Sequence, residues 1–171
     1  RSFNLRKIVE SGQCFRASLI DDDIYRFVTG NNVVYMKETE KGIFSVSCGF
    51  NEWQNTWVKY FDLNRNYRNI FEKEYGKHPF VDKAMNAGRG LRILWQDPWE
   101  ILVSTIISQR KSIPAIQKAV DLIAEKYGTV QKTEYEKLNL FPSATDLINV
   151  SEDDMRSCGV GYRAAYILDA I

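Results

Sequence analysis

One histidine and three cysteines are all that 171 residues offer to a zinc-type His/Cys site. Cys14, Cys48 and Cys158 are odd in number and form no Cys-x-x-Cys pair, which excludes a zinc ribbon and a disulfide framework. Structural thiols in a reducing compartment are the expectation. His78 is followed at once by Pro79, in what reads as a turn, so any Ser-His-Asp triad or histidine-based metal site would have to be built on that single residue. Long apolar runs are also missing. Charges interrupt each one well before the roughly 18 residues that a membrane helix needs, and no cationic, apolar leader precedes the first motif. These absences predict a soluble intracellular protein with no metal centre.

What is present is globular in character. With 44% hydrophobic and 26% charged residues the chain can bury a core, and its length suits one ordinary domain or two small ones. Charge is balanced overall, 23 basic against 22 acidic residues, but unevenly placed. Lys83, Arg89, Arg92, Arg110, Lys111 and Lys118 stand against only Asp97 and Glu100, whereas the stretch from Ala119 to Asp154 is acidic. The first stretch suits a polyanion; a solvated helix surface is the plainer alternative.

The first half reads as β-rich. Ile24 to Thr29, Val33 to Lys37 and Ile43 to Cys48 are β-branched and aromatic runs separated by Gly30-Asn31-Asn32 and Glu40-Lys41-Gly42, which predicts an antiparallel meander. Trp53, Trp57, Tyr60 and Phe61 then recur at helical spacing from an Asn51 cap, and Tyr67, Ile70 and Phe71 suggest a second short helix. Both tryptophans read as core anchors. Gly88-Arg89-Gly90 marks the expected boundary, giving units of residues 1–88 and 89–171.

Beyond it lies a string of helices. Asp97-Pro98-Trp99-Glu100 has a cap, a first-turn proline and an acidic third position, and Trp99, Leu102, Val103, Ile106 and Ile107 follow as a predicted buried face. Ser112-Ile113-Pro114 starts a helix carrying Ile116, Val120, Ile123, Ala124 and Tyr127, with Gly128 beyond its end. Two further Ser-x-x-Asp starts lie at Ser143 and Ser151. The fold class is α+β: an N-terminal antiparallel sheet domain with helices, then part of an all-α domain.

Two polar loops interrupt the helices. Ser108-Gln109-Arg110-Lys111-Ser112 joins two strongly apolar helices, so two cations and an amide are held at a hydrophobic junction. In Cys158-Gly159-Val160-Gly161-Tyr162-Arg163 the glycines permit close backbone approach, Tyr162 has a face to stack or wedge, and Arg163 has a fork for phosphate or base edges. Each is equally readable as an ordinary interhelical turn.

Ser11-Gly12-Gln13-Cys14-Phe15-Arg16 resembles the S-G-Q-x-F-R signature of the 8-oxoguanine DNA glycosylases. Gln96-Asp97-Pro98, Ile106-Ile107-Ser108 and Gly159-Val160-Gly161-Tyr162-Arg163-Ala164 are similar to later blocks of that family, in the same order. The resemblance implies an antiparallel sheet domain packed on the helical domain of the helix-hairpin-helix glycosylases. It implies a base pocket at Gly12, Gln13 and Phe15, with the Gly12 carbonyl accepting the N7 hydrogen of 8-oxoguanine. It also implies DNA contacts at Gln109, Arg110, Lys111, Ser112, Tyr162 and Arg163.

Two departures matter. Arg110-Lys111-Ser112 stands where the family has consecutive asparagines and Ala115 where it has an arginine that reads the opposite cytosine, so the resemblance does not carry a strict cytosine preference. Gln109 is instead similar to the 3-methyladenine glycosylase branch. The superfamily's L-P-G-x-G-x-K hairpin, whose lysine attacks the sugar, and its later aspartate have no match, so no catalytic residue is assigned in this chain. Arg1 at one end, and an apolar helical pattern still running at Ala170-Ile171, suggest a fragment of a longer enzyme.

The expected function is base-excision repair: flipping and excision of an oxidised purine, 8-oxoguanine, from duplex DNA, with lyase activity at the abasic site left open. The implied partner is double-stranded DNA carrying a damaged base. A monomer without cofactor, metal or membrane attachment is expected, cytoplasmic and nucleoid-associated in a bacterium. A 3-methyladenine-type glycosylase, a noncatalytic DNA-binding module and a protein-interaction domain are the alternatives.

Overall fold

The computed structural model describes residues 3–171, which fall into two compact units. The first takes the chain as far as Phe27 together with Val33–Trp95; the second takes Val28–Asn32 and Gln96–Ile171. The divide therefore lies at Trp95 and Gln96, later than the Gly88-Arg89-Gly90 signal suggests. Hydrogen bonds explain the difference. Asn4 N–H donates to the Gly90 carbonyl at 3.0 Å and Trp95 N–H to the Tyr60 carbonyl at 2.8 Å, so the segment after the glycines stays fastened to the first unit.

Helix α1 (Leu5–Glu10) is capped by Asn4, whose side chain accepts from Lys7 N–H. It precedes a four-stranded antiparallel sheet in sequential order: β1 (Ser18–Asp21), β2 (Ile24–Thr29), β3 (Asn32–Glu40) and β4 (Ile43–Val46). The expected meander is present, with β1 added ahead of it. Gly42 takes φ 80 between β3 and β4, the left-handed region a tight hairpin requires.

The aromatic run after the sheet departs from a plain helix. Gly49 rather than Asn51 is the cap of α2 (Phe50–Glu52), Trp53–Trp57 widens into a π-helical turn, and α3 (Val58–Tyr60) completes the run. Trp57, Tyr60 and Phe61 are thereby all buried. The Phe61 ring meets Phe27 and Tyr60 edge-on, each at 4.9 Å, and Phe3 at 5.4 Å, the quadrupole-favoured arrangement. Glu52 accepts from the Trp57 indole N–H at 2.8 Å, so the buried ring is satisfied. Helices α4 (Tyr67–Glu74) and α5 (Pro79–Ala87) follow; His78 caps α5, its Nδ1 accepting from Phe80 N–H at 3.2 Å.

In the second unit Asp97 caps α6 (Pro98–Ser108), accepting from Glu100 N–H at 2.9 Å. The buried stripe of α6 is Glu100, Val103, Ser104 and Ile107, while Leu102 faces outward. Because α6 is apolar on most of its circumference, periodicity alone does not identify which side is inward. Helix α7 (Ile113–Tyr127) buries Ile116, Ala119, Val120, Ile123 and Ala124. The second half is not wholly helical: β5 (Val130–Lys132) and β6 (Lys137–Asn139) form a small antiparallel hairpin. Helices α8 (Ala144–Leu147), α9 (Glu152–Met155) and α10 (Arg163–Asp169) complete the unit, with a π-helical turn at Arg156–Val160. Ser143 and Ser151 cap α8 and α9.

Candidate functional site

The glycine turn of the first unit follows the end of α1. Ser11 closes the helix, its hydroxyl donating to the Ile8 carbonyl at 2.6 Å, and Gly12 then enters the left-handed region at φ 75. A side chain at Gly12 would oppose that conformation, so glycine is required here by backbone geometry. Gln13 is a brace. Its Nε2 donates to the Arg92 carbonyl at 2.8 Å and to Ser11 Oγ at 3.0 Å, and its Oε1 accepts from Leu94 N–H at 3.0 Å. Phe15 is half-buried. Cys14 is buried with Sγ 3.4 Å from the Tyr60 hydroxyl, consistent with a structural thiol.

In the second unit, the loops at 109–112 and 159–163 lie against one another. Gln109 ends α6, Arg110 takes the left-handed φ of 53, and Lys111 N–H donates back to the Ser108 carbonyl at 3.1 Å. Ser112 is the cap position of α7. On the facing loop Gly159 and Gly161 both have positive φ, 75 and 61. Two reciprocal hydrogen bonds tie the loops: Lys111 Nζ donates to the Gly159 carbonyl, and an Arg163 guanidinium N–H donates to the Gln109 carbonyl. Burial, followed by repulsion from the Arg163 charge, holds the Lys111 ammonium below the usual lysine pKa.

Arg163 is buried at 7% exposure, whereas Tyr162 is 51% exposed. The guanidinium carbon of Arg163 lies 4.5 Å from the centre of the Tyr162 ring, and Arg163 donates a further hydrogen bond to the Val160 carbonyl at 3.3 Å. Tyr166 meets Tyr162 edge-on at 6.1 Å. Sequence reasoning passed over Tyr166, although its position four residues after Tyr162 on a helix was a usable signal. It also gave Gln13 to the base pocket without seeing the brace, because both backbone partners of that amide lie about 80 positions away. Gln109, Lys111, Tyr162 and Arg163 are thus brought together, while Gly12, Gln13 and Phe15 belong to the first unit.

Among the described residues no group of His, Cys, Asp or Glu is arranged to hold a metal ion, and no helix is long and apolar enough to cross a membrane.

The sheet followed by helices is an α+β architecture shared with solved 8-oxoguanine glycosylases, a class of DNA-repair enzymes. The sequence profile described as 8-oxoguanine DNA glycosylase, N-terminal domain, matches residues 1–102. The chain belongs to that family. It is 27% identical over 183 aligned positions to the N-glycosylase/DNA lyase of Saccharomyces cerevisiae, covering 96% of this chain and 48% of the yeast protein. The Clostridium acetobutylicum 8-oxoguanine glycosylase/lyase, solved with double-stranded DNA containing cytosine opposite 8-oxoguanine, superposes with a TM-score of 0.90 at 36% identity, over 98% of this chain and 58% of that one. A 3-methyladenine DNA glycosylase from Archaeoglobus fulgidus shares the fold, with a TM-score of 0.75 at 16% identity over 99% of this chain and 63% of its own. The chain spans about half the length of the yeast relative.

Proposed function

We propose that this chain is the lesion-recognising and duplex-gripping part of a DNA glycosylase that extrudes 8-oxoguanine from double-stranded DNA and cleaves its N-glycosidic bond. The observation that carries the reading is the joining of the two loops at 109–112 and 159–163, which presents the exposed Arg110 and Tyr162 from one platform. Extruding a nucleotide costs a few kcal/mol of stacking, and an aromatic side chain entering the gap offsets part of it. Tyr162 is that wedge. In the first unit, the Gly12 carbonyl accepts the N7 hydrogen that 8-oxoguanine has and guanine lacks; the ordinary base leaves this group unpaired, at about 1 to 3 kcal/mol. Gln13 fixes the turn that aims it, and Phe15 completes the pocket wall.

The nucleophilic lysine and the aspartate of the reaction belong to residues outside this chain, in keeping with the share of its relatives that the chain spans and with the missing hairpin motif. The protein works as a monomer, needs no cofactor, and resides where the chromosome is, at the nucleoid in a bacterial cell. Arg110 and Ala115 in place of the family's polar readers relax the preference for cytosine opposite the lesion.

Fluorescence anisotropy with a duplex carrying a tetrahydrofuran abasic analogue tests the reading. Wild-type protein binds it more tightly than undamaged duplex. Tyr162→Ala lowers that affinity about tenfold or more, as expected for loss of one aromatic stacking contact. Equal affinity of wild type for the two duplexes would refute the proposal.

A further inference from the structure

The cations of the two loops are used differently. Lys111 and Arg163 each end on a backbone carbonyl of the opposite loop, and both are shielded, Lys111 in part and Arg163 almost wholly. Each thereby commits a donor to the opposite loop. Arg110, between them in sequence, is exposed and makes no hydrogen bond or ion pair among the described residues; its φ of 53 turns the chain sharply at that point.

The wedge loop needs such a tie. Two glycines in left-handed conformations flank Val160, and glycine has the largest backbone freedom to lose on ordering. A loop ordered only on contact with DNA would spend part of its binding free energy on that ordering, and a preordered one does not. Lys111 holds the loop at Gly159, before the wedge, and Arg163 holds it just after, while the Arg163 guanidinium and the Tyr166 ring lie against Tyr162.

We infer that Lys111 and Arg163 form a reciprocal latch that preorders the Tyr162 wedge as positioning residues, and that Arg110 is the cation this platform presents to the DNA backbone. The inference rests on the glycosylase reading above and deepens it.

Affinities for tetrahydrofuran-containing and undamaged duplexes, measured across a series of KCl concentrations, separate the two roles. Lys111→Met keeps the aliphatic stem and loses the tie. It is expected to weaken abasic-duplex binding about tenfold, the size of one charge-assisted hydrogen bond, with little change on undamaged duplex and an unchanged salt slope. Lys111→Arg, which still donates to Gly159, restores the affinity. Arg110→Met weakens both duplexes alike and lowers the salt slope by about 0.9, as for one lost phosphate contact. Amide exchange at 159–163 is faster in Lys111→Met and unchanged in Arg110→Met. A lowered salt slope in Lys111→Met, or unaltered exchange in it, overturns the latch. A wild type that does not distinguish the two duplexes overturns the glycosylase reading, and the latch with it.

Discussion

Replacing Gln13 tests whether its amide is a brace of the glycine turn. The side chain's bonds include two to backbone groups of Arg92 and Leu94 and one to Ser11, and Leu94 is buried at 8% exposure. A hydrogen bond of this kind contributes about 0.5 to 1.5 kcal/mol net, while a buried donor left without a partner costs about 1 to 3 kcal/mol. Discounting the exposed bond to Ser11, Gln13→Met is expected to destabilise the protein by about 2 to 4 kcal/mol. Methionine is the informative substitution because it nearly conserves volume, so a loss cannot be assigned to a cavity. Urea unfolding followed by tryptophan fluorescence should show a lower midpoint with an unchanged m-value. Gln13→Ala should be worse by the lost packing. A Gln13→Met midpoint equal to wild type would refute the bracing argument.

Two further perturbations follow from single contacts. An alanine methyl at Gly128 would stand 1.8 Å from the Leu140 carbonyl oxygen and 2.5 Å from that of Ala124, both backbone, so Gly128→Ala should cost about 3 kcal/mol or more in urea unfolding; Gly42→Ala, with φ 80 but nothing within 4 Å, should cost only the conformational penalty of about 1 to 2 kcal/mol. Asp146 is held below the usual carboxylate range by hydrogen bonds from the Ser143 hydroxyl and amide. A folded pKa below the unfolded one stabilises at pH values above the ordinary carboxylate pKa and is lost as pH falls through the folded value. Ser143→Ala should therefore raise the Asp146 pKa toward its ordinary value in an NMR titration, and the stability gap from wild type should narrow on acidification.

Local chemistry made much of the fold legible. Caps at Asp97, Ser143 and Ser151 were readable because a cap depends on residues only three positions apart. The three strands from Ile24 onward were readable because alternation and turn residues are equally local. What escaped depends on partners that are remote or on a surplus of signal. Strands β5 and β6 are three residues each, too short for a period to register. The aromatic run from Trp53 gave the right residues for the core and the wrong helix type, since a π-helical turn is a rare single-turn widening that helical spacing alone does not mark.

The candidate site divides along the same line. Residue types at 109–112 and 159–163 marked two polar loops, but the same letters fit a loop that grips DNA and a loop that grips its neighbour. Lys111 and Arg163 are separated from the carbonyls they hold by 48 and 54 positions, a distance over which no periodicity speaks. Two of the three cations in these loops donate to backbone carbonyls of the facing loop, and Arg110 is the exposed one. The Lys111 ammonium, on its four-carbon stem, is what carries the tie across to the Gly159 carbonyl, a reach set by the fold and not by any local pattern.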